Sequence, residues 1–140
     1  MKYTTTDIIK FLADLSGTDK IETGSDIFQD IGMSGDDFDE MIEKFSKQFS
    51  VDMKDYLWYF HCDEEGQNIG GTFFKPPYLR VKRIPVTPLM LTEFANNRKW
   101  NIIYPEHKLP KRRYDILINQ ILLGLFLAGI IIWAIVKWII

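Results

Sequence analysis

The fold of this chain is decided by residues 34–49, SGDDFDEMIEKFSKQF. Large apolar side chains recur there three or four residues apart, a spacing that places them on one face of a helix. These are Phe38, Met41, Ile42, Phe45 and Phe49. Ser34 is a favourable N-cap, and Asp37 is a near match to a capping box, with Asp in the place of Glu. We therefore predict an amphipathic helix that follows Ser34 and is capped by its hydroxyl.

The beginning and outer face of this helix are acidic. The acids are Asp36, Asp37, Asp39, Glu40 and Glu43. Most of them fall near the first turn, where the positive end of the helix dipole favours negative side chains. The predicted helix thus has one apolar face for a core and one strongly acidic face.

The C-terminal residues have a different character. Residues 116–136 contain no charge, and Asn119 and Gln120 are their only polar side chains. Twenty-one helical residues span about 32 Å, enough to cross the hydrocarbon core of a bilayer. A core helix of that length normally keeps a polar face. We therefore predict one transmembrane helix over residues 116–140.

Charge is distributed unevenly along the chain. Residues 1–65 carry six Lys/Arg against sixteen Asp/Glu, a net charge of −10, whereas residues 66–140 carry eleven against three, a net charge of +8. Lys111, Arg112 and Arg113 lie immediately before the predicted span, which places the N-terminal domain in the cytoplasm by the positive-inside rule. Basic residues of this kind can also contact anionic lipid headgroups. The acidic half argues against nucleic-acid binding.

Targeting signals and cysteines agree with this orientation. The first thirty residues contain no apolar run flanked by positive charge, so a signal peptide is not expected. Cys62 is the single cysteine, which excludes an intrachain disulfide and fits a reducing compartment. We expect a tail-anchored, single-pass protein with its soluble domain first.

Two further helices and an irregular insertion complete the predicted organisation. One helix follows the threonines at 4–6 and ends at Gly17, and another starts at Thr87-Pro88. Residues 72–74 and 78–81 are predicted to pair as a short hairpin. We expect a domain over 1–104 with an insertion at about 61–83, a basic linker over 105–115 and the membrane helix over 116–140.

Asp30-Ile31-Gly32, a polar turn and then an acidic helix ending in Phe49 resemble the central motif of acyl carrier proteins. In that family a serine at the start of the helix bears a 4′-phosphopantetheine arm, and the acidic helix docks partner enzymes. The chain also resembles an uncharacterised family of bacterial acyl-carrier-like domains, in the aromatic run before His61 and the segment ending in Trp100. The resemblance implies a mainly α, acyl-carrier-like helical bundle at a bacterial inner membrane.

The sequence departs from the carrier motif at the modified position. Gly35 stands in the place of the serine and Ser34 in the place of the preceding aspartate. Glycine has no hydroxyl, so our first hypothesis is a docking or adaptor module without a cofactor. In it Asp36, Asp37, Asp39, Glu40 and Glu43 bind a partner with a basic surface. The alternative is a carrier that bears 4′-phosphopantetheine on Ser34 and presents acyl chains to membrane enzymes.

No other pattern indicates catalysis. Residues 61–65, HCDEE, are possible metal ligands, but no second His/Cys pair lies at zinc spacing. A calcium loop starting at Asp30 would need a glutamate where Met41 stands. Phosphate-binding and nucleophile-elbow motifs are also missing from the sequence. We therefore predict no metal and no enzymatic activity.

The aromatic run 56–60 is assigned to the core or an interface, and a pocket for an acyl chain stays open as its alternative.

Overall fold

The chain is mainly helical, as predicted. The computed structural model describes residues 2–139 and contains four α-helices: α1 (Thr5–Ser16), α2 (Gly35–Phe49), α3 (Pro88–Asn97) and α4 (Tyr114–Ile139). Three short 3₁₀ helices lie between α2 and α3: Trp58–Phe60, Gly70–Thr72 and Pro77–Arg80. Within this described range there is no β-strand, and one isolated parallel bridge joins Asp52 to Lys99.

The predicted hairpin over 72–74 and 78–81 is wrong, because both segments turn back on themselves. The N–H groups of Phe73 and Phe74 donate to the carbonyl oxygen of Gly70 at 3.0 and 2.9 Å, so they bond within a turn and not across a ladder. Pro76 and Pro77 have no N–H to give to a ladder and fix the backbone in a turn conformation. The segment is therefore a pair of 3₁₀ turns.

The chain forms two compact units. The first, which we call the helical unit, comprises the described residues up to Glu65 together with Val81–His107. The second, the anchor unit, comprises Gly66–Arg80 and the described residues from Lys108 onward. The insertion expected at 61–83 is thus divided between the two units.

The apolar face of α2 forms the centre of the helical unit. All five side chains predicted for this face are buried, and Phe38, Met41 and Phe45 are almost completely inaccessible. Phe45 and Phe49 pack against Phe11 of α1, with ring centroids 6.3 and 5.4 Å away. Burying a side chain of this size contributes about 1.5–3 kcal/mol. The periodicity of the sequence therefore identified the core correctly.

In the anchor unit, α4 begins at Tyr114, two residues before the predicted start. It is 26 residues long, its most apolar 18-residue window has a mean hydropathy of 2.3, and by length and composition it could cross a membrane. None of its most apolar stretch is buried against other described residues, which distinguishes it from the core helix of a soluble protein. It is the one candidate membrane span in the part of the chain that the structure describes.

Candidate functional site

Ser34 occupies the N-cap position of α2, but its side chain does not cap the helix. The backbone N–H of Asp37, which a capping hydroxyl would bind, donates instead to the carbonyl oxygen of Ser34 at 3.1 Å. The predicted hydroxyl cap and Ser34–Asp37 capping box are therefore wrong. A capping box does occur at the start of α1, where Thr4 and Asp7 exchange hydrogen bonds.

Gly35, the residue in the place of the carrier serine, begins α2 in a left-handed conformation with φ +48°. A Cβ at this position would lie 1.9 Å from Cγ of Glu65, so the Glu65 side chain fills the space above it. Left-handed backbone is strained for a residue with a side chain. The backbone of position 35 therefore suits glycine, and a side chain there would also have to displace the exposed Glu65 side chain.

The five acids of α2 do not form a single surface. Asp36 and Asp39 line a cleft of about 460 Å³, whereas Asp37 and Glu40 line a separate groove. Glu43 forms an exposed ion pair with Lys47, one turn further along. Exposed i,i+4 pairs contribute only about 0.3–0.5 kcal/mol. The structure thus brings two of the five predicted docking residues together.

Three acids from outside α2 complete this cleft, which we call the acidic cleft. Its lining consists of Gly35, Asp36, Asp39, Tyr56, Trp58, Asp63, Glu64 and Glu65. Residues 63–65 were singled out in the sequence only as possible metal ligands, so their role in the cleft was missed. Their run of negative charge was the available signal, but nothing local indicated that it would face α2.

The electrostatics of the acidic cleft favour a cation. Partial burial, and next the neighbouring carboxylate of Asp36, raise the pKa of Asp39. The hydroxyl of Tyr56 and Oδ1 of Asp63 are buried without a hydrogen-bond partner among residues 2–139. A buried polar atom left unpaired costs about 1–3 kcal/mol. A cation bound in the cleft would relieve the repulsion between Asp36 and Asp39.

Tyr56, one of the residues that line the acidic cleft, packs on a polar network whose members are hydrogen-bonded to one another. Its ring stacks on His61, with centroids 5.6 Å apart. His61 Nδ1–H donates to the carbonyl oxygen of Ile84 at 2.9 Å, and Nε2 accepts from the hydroxyl of Tyr104 at 2.8 Å. Trp100 Nε1–H donates to the same hydroxyl at 2.8 Å. Both imidazole nitrogens are thus occupied within the protein.

His61 and Cys62 are poorly suited to catalysis or metal binding. Burial lowers the pKa of His61 to about 4, so the imidazole is neutral at physiological pH. Burial, followed by the nearby Asp39 carboxylate, raises the pKa of Cys62 to about 12, so its thiol is protonated. The thiolate is the nucleophilic form of cysteine. Throughout the described residues, no three His, Cys, Asp or Glu side chains are grouped to hold a metal ion.

The predicted membrane-flanking residues lie at the start of the anchor helix. Lys111 and Arg112 are exposed, whereas Arg113 forms an ion pair with the buried carboxylate of Asp115 at 2.6 Å. Two basic side chains are therefore directed to the surroundings, and the third stabilises the first turn of α4.

These features define a class of protein: a small helical domain with an acidic cleft, followed by one candidate membrane helix. Residues 4–104 match DUF1493, a protein family of unknown function, and the chain belongs to this family. The match covers nearly all of the helical unit and the segment 66–80, but not α4. No curated protein and no solved structure has significant similarity to the chain.

Proposed function

We propose that this protein is a membrane-tethered, acyl-carrier-like adaptor that docks a basic partner protein in its acidic cleft and has no catalytic activity of its own. The observation that carries this proposal is the convergence of Asp36 and Asp39 with the acidic run 63–65 around Tyr56 and Trp58. The five carboxylates come from two separate segments of the chain.

The order of the elements supports the acyl-carrier resemblance. A first helix, a long loop, the acidic helix α2 and the later helix α3 follow one another as in that family. In acyl carrier proteins the acidic helix docks partner enzymes, and the resemblance implies the same role for α2. Gly35 explains why docking is proposed without the phosphopantetheine arm, because it offers no hydroxyl and its backbone suits glycine.

The occupant we propose for the acidic cleft is an arginine or lysine side chain of the partner. Its N–H groups would donate to Asp36 and Asp39. Its aliphatic stem would pack on the rings of Tyr56 and Trp58. Charge-assisted hydrogen bonds contribute about 1.5–3 kcal/mol each. A few such bonds are enough for a specific but reversible interaction.

The membrane helix gives this docking a location. Lys108, Lys111 and Arg112 precede α4, and Lys137 is the one charge near its far end. This asymmetry supports a cytoplasmic helical unit at a bacterial inner membrane. The adaptor would thus concentrate its partner at the cytoplasmic face of that membrane.

A photocrosslinking experiment in native membranes tests the adaptor. A photoreactive amino acid is placed at Glu65, on the rim of the acidic cleft, and separately at Gln48, an exposed position near the end of α2. We expect a discrete adduct from position 65, with the crosslink mapping to a basic surface, and none from position 48. Equal adducts from both positions, or none from 65, would refute the cleft as a docking site.

One observation favours the second candidate, a carrier modified on Ser34. The Ser34 hydroxyl makes no capping hydrogen bond, so it is not committed to the helix. Intact-mass measurement after co-expression with a phosphopantetheinyl transferase separates the two functions. The adaptor predicts an unchanged mass, and a phosphopantetheine adduct that is lost in Ser34→Ala would establish the carrier.

A further inference from the structure

The segment 66–80 of the anchor unit is held against the start of α4 by a polar clasp. The N–H of Gly70 donates to Oδ1 of Asn119 at 2.7 Å, and Nδ2 of Asn119 donates to Oδ1 of Asn68 at 2.9 Å. Nδ2 of Asn68 donates to Oδ2 of Asp115 at 2.9 Å. Hydrogen bonds among three side chains, Asn68, Asp115 and Asn119, thus fix the position of the segment 66–80 along the axis of α4.

Backbone packing makes the clasp close. Gly70 is buried, and a Cβ at this position would lie 2.0 Å from the carbonyl oxygen of Asp115. That oxygen belongs to the backbone of α4 and cannot move aside without disturbing the helix. Glycine therefore allows the segment to lie directly on the first turns of α4.

The clasp explains the polar residue near the start of the apolar helix. Unpaired polar groups are costly in hydrocarbon, but the Asn119 amide is paired on both its oxygen and its nitrogen. The helix from Gln120 to Ile139 has 20 residues and is about 30 Å long, the thickness of the hydrocarbon core. The clasp therefore lies at the level where the hydrocarbon begins.

At this level the segment exposes several large apolar side chains to its surroundings. Phe73 is 70% exposed, Leu79 57%, Ile69 55% and Phe74 42%. Phe74 also contacts Tyr114, the first residue of α4, with ring centroids 5.5 Å apart. Tyr and Trp are enriched at the membrane–water interface, and Phe and Leu form the apolar face of elements that lie in it.

The charges around these side chains match an anionic lipid surface. The anchor unit has six basic residues before its span: Lys75, Arg80, Lys108, Lys111, Arg112 and Arg113. Asp115 is its one acid, and Arg113 pairs with it. Basic residues next to a span are attracted to anionic headgroups.

We infer that residues 66–80 form an interfacial collar, which inserts its exposed apolar side chains into an anionic bilayer around the entry point of α4 and places Lys75 and Arg80 among the lipid phosphates. This inference rests on the proposed role of α4 as the membrane anchor. It adds a second, lipid-binding element that would hold the anchor unit at a fixed depth.

Spin labelling of the full-length chain in vesicles of phosphatidylcholine and phosphatidylglycerol tests the collar. In a Cys62→Ala background, nitroxides are attached separately through Phe73→Cys and Leu79→Cys. A label at Leu125→Cys in α4 is the reference for a lipid environment. A label at Ile103→Cys, a residue that is 95% exposed in the helical unit, is the reference for water. Power saturation with oxygen and with a water-soluble nickel chelate measures the surroundings of each label.

We expect the labels at 73 and 79 to be more accessible to oxygen than to nickel, as at 125, with the reverse at 103. Nickel accessibility at either collar site equal to that at 103, with 125 in lipid, overturns the collar and leaves the anchor intact. A label at 125 that is itself in water overturns the anchor and, with it, the collar.

Discussion

Gly35 and Glu65 are in contact at the position that the acyl-carrier resemblance assigns to the modified serine. The side chain of Glu65 lies where a Cβ of residue 35 would have to stand, at 1.9 Å from Cγ. The left-handed φ of +48° at Gly35 is strained for a residue with a side chain. The same contact brings Glu65 to the rim of the acidic cleft. The contact between Gly35 and Glu65 thus lies at the edge of the acidic cleft.

Replacing the glycine should therefore fail to restore a carrier. Gly35→Ser is expected to lower the free energy of unfolding by about 1–2 kcal/mol, the cost of a left-handed residue with a side chain. We expect no phosphopantetheine adduct on this variant. Urea unfolding of the solubilised full chain and intact-mass measurement check the two points.

Gly24→Ser is the matched control, because no atom lies within 4 Å of a Cβ at Gly24 and its φ is not left-handed. It should unfold like the wild type. A stable, modified Gly35→Ser protein would show that position 35 still accommodates a carrier serine.

The buried His61 network should make stability depend on pH. The pKa of His61 is lowered from 6.5 to about 4, so the unfolded chain binds the proton more tightly between these values. Stability is therefore complete above pH 6.5 and is lost as the pH falls toward 4. The expected loss at pH 5 is about 2 kcal/mol. Urea unfolding at pH 7.5 and pH 5 measures it.

His61→Gln separates this effect from the titration of carboxylates, which both proteins share. The variant should be less stable at neutral pH and should lose less stability on acidification. An equal loss in the two proteins would mean that His61 does not carry the pH dependence.

The Tyr104 hydroxyl connects three parts of the same network. It accepts from Trp100 Nε1–H and from the N–H of Leu57, at 2.8 and 3.2 Å, and donates to His61. Tyr104→Phe keeps the ring but leaves these groups unpaired. We expect it to cost about 2–6 kcal/mol of unfolding free energy, since His61 and Trp100 are buried and each unpaired buried group costs about 1–3 kcal/mol. Tyr114→Phe, on an exposed residue, should be neutral.

The clasp of the anchor unit should depend on Gly70. Gly70→Ala places a methyl group against the carbonyl oxygen of Asp115, so the segment 66–80 should separate from α4. We expect trypsin to cut after Arg80 several-fold faster in the variant, in vesicles, than in the wild type. Gly124→Ala, where no atom lies within 4 Å of the added Cβ, is the control. Equal cleavage rates in the wild type and both variants would show that the packing of Gly70 does not hold the segment 66–80 against α4.

Periodicity predicted the parts of the fold that depend on local sequence. The buried face of α2 and the length of α4 both follow from patterns within one segment, and both are correct. The cap at Ser34 was predicted wrongly because Gly35 takes a left-handed conformation that a capping pattern does not reveal. The hairpin was predicted wrongly because the turn-forming prolines outweighed the strand-like residues around them.

The two candidate sites depend on contacts between distant segments, and the sequence indicated them only in part. Asp36 and Asp39 were selected for their place on α2, but the approach of residues 63–65 to them is a tertiary effect. The bond between Gly70 and Asn119 likewise joins residues 49 positions apart. The sequence identified the charged residues, but which of them lie close together depends on the tertiary fold.

Two double variants on the same helix test the acidic cleft most directly, with photocrosslinking from Glu65 as the readout. Asp36→Asn with Asp39→Asn removes the two carboxylates that α2 contributes to the cleft, and Asp37→Asn with Glu40→Gln removes the same charge from the separate groove. We expect the first pair to weaken partner capture about tenfold or more, because losing 1.4 kcal/mol changes an equilibrium tenfold. The second pair should leave capture within about twofold of the wild type, well under 1 kcal/mol. Equal losses in both variants, or undiminished capture in the first, would show that the partner is not held in the acidic cleft.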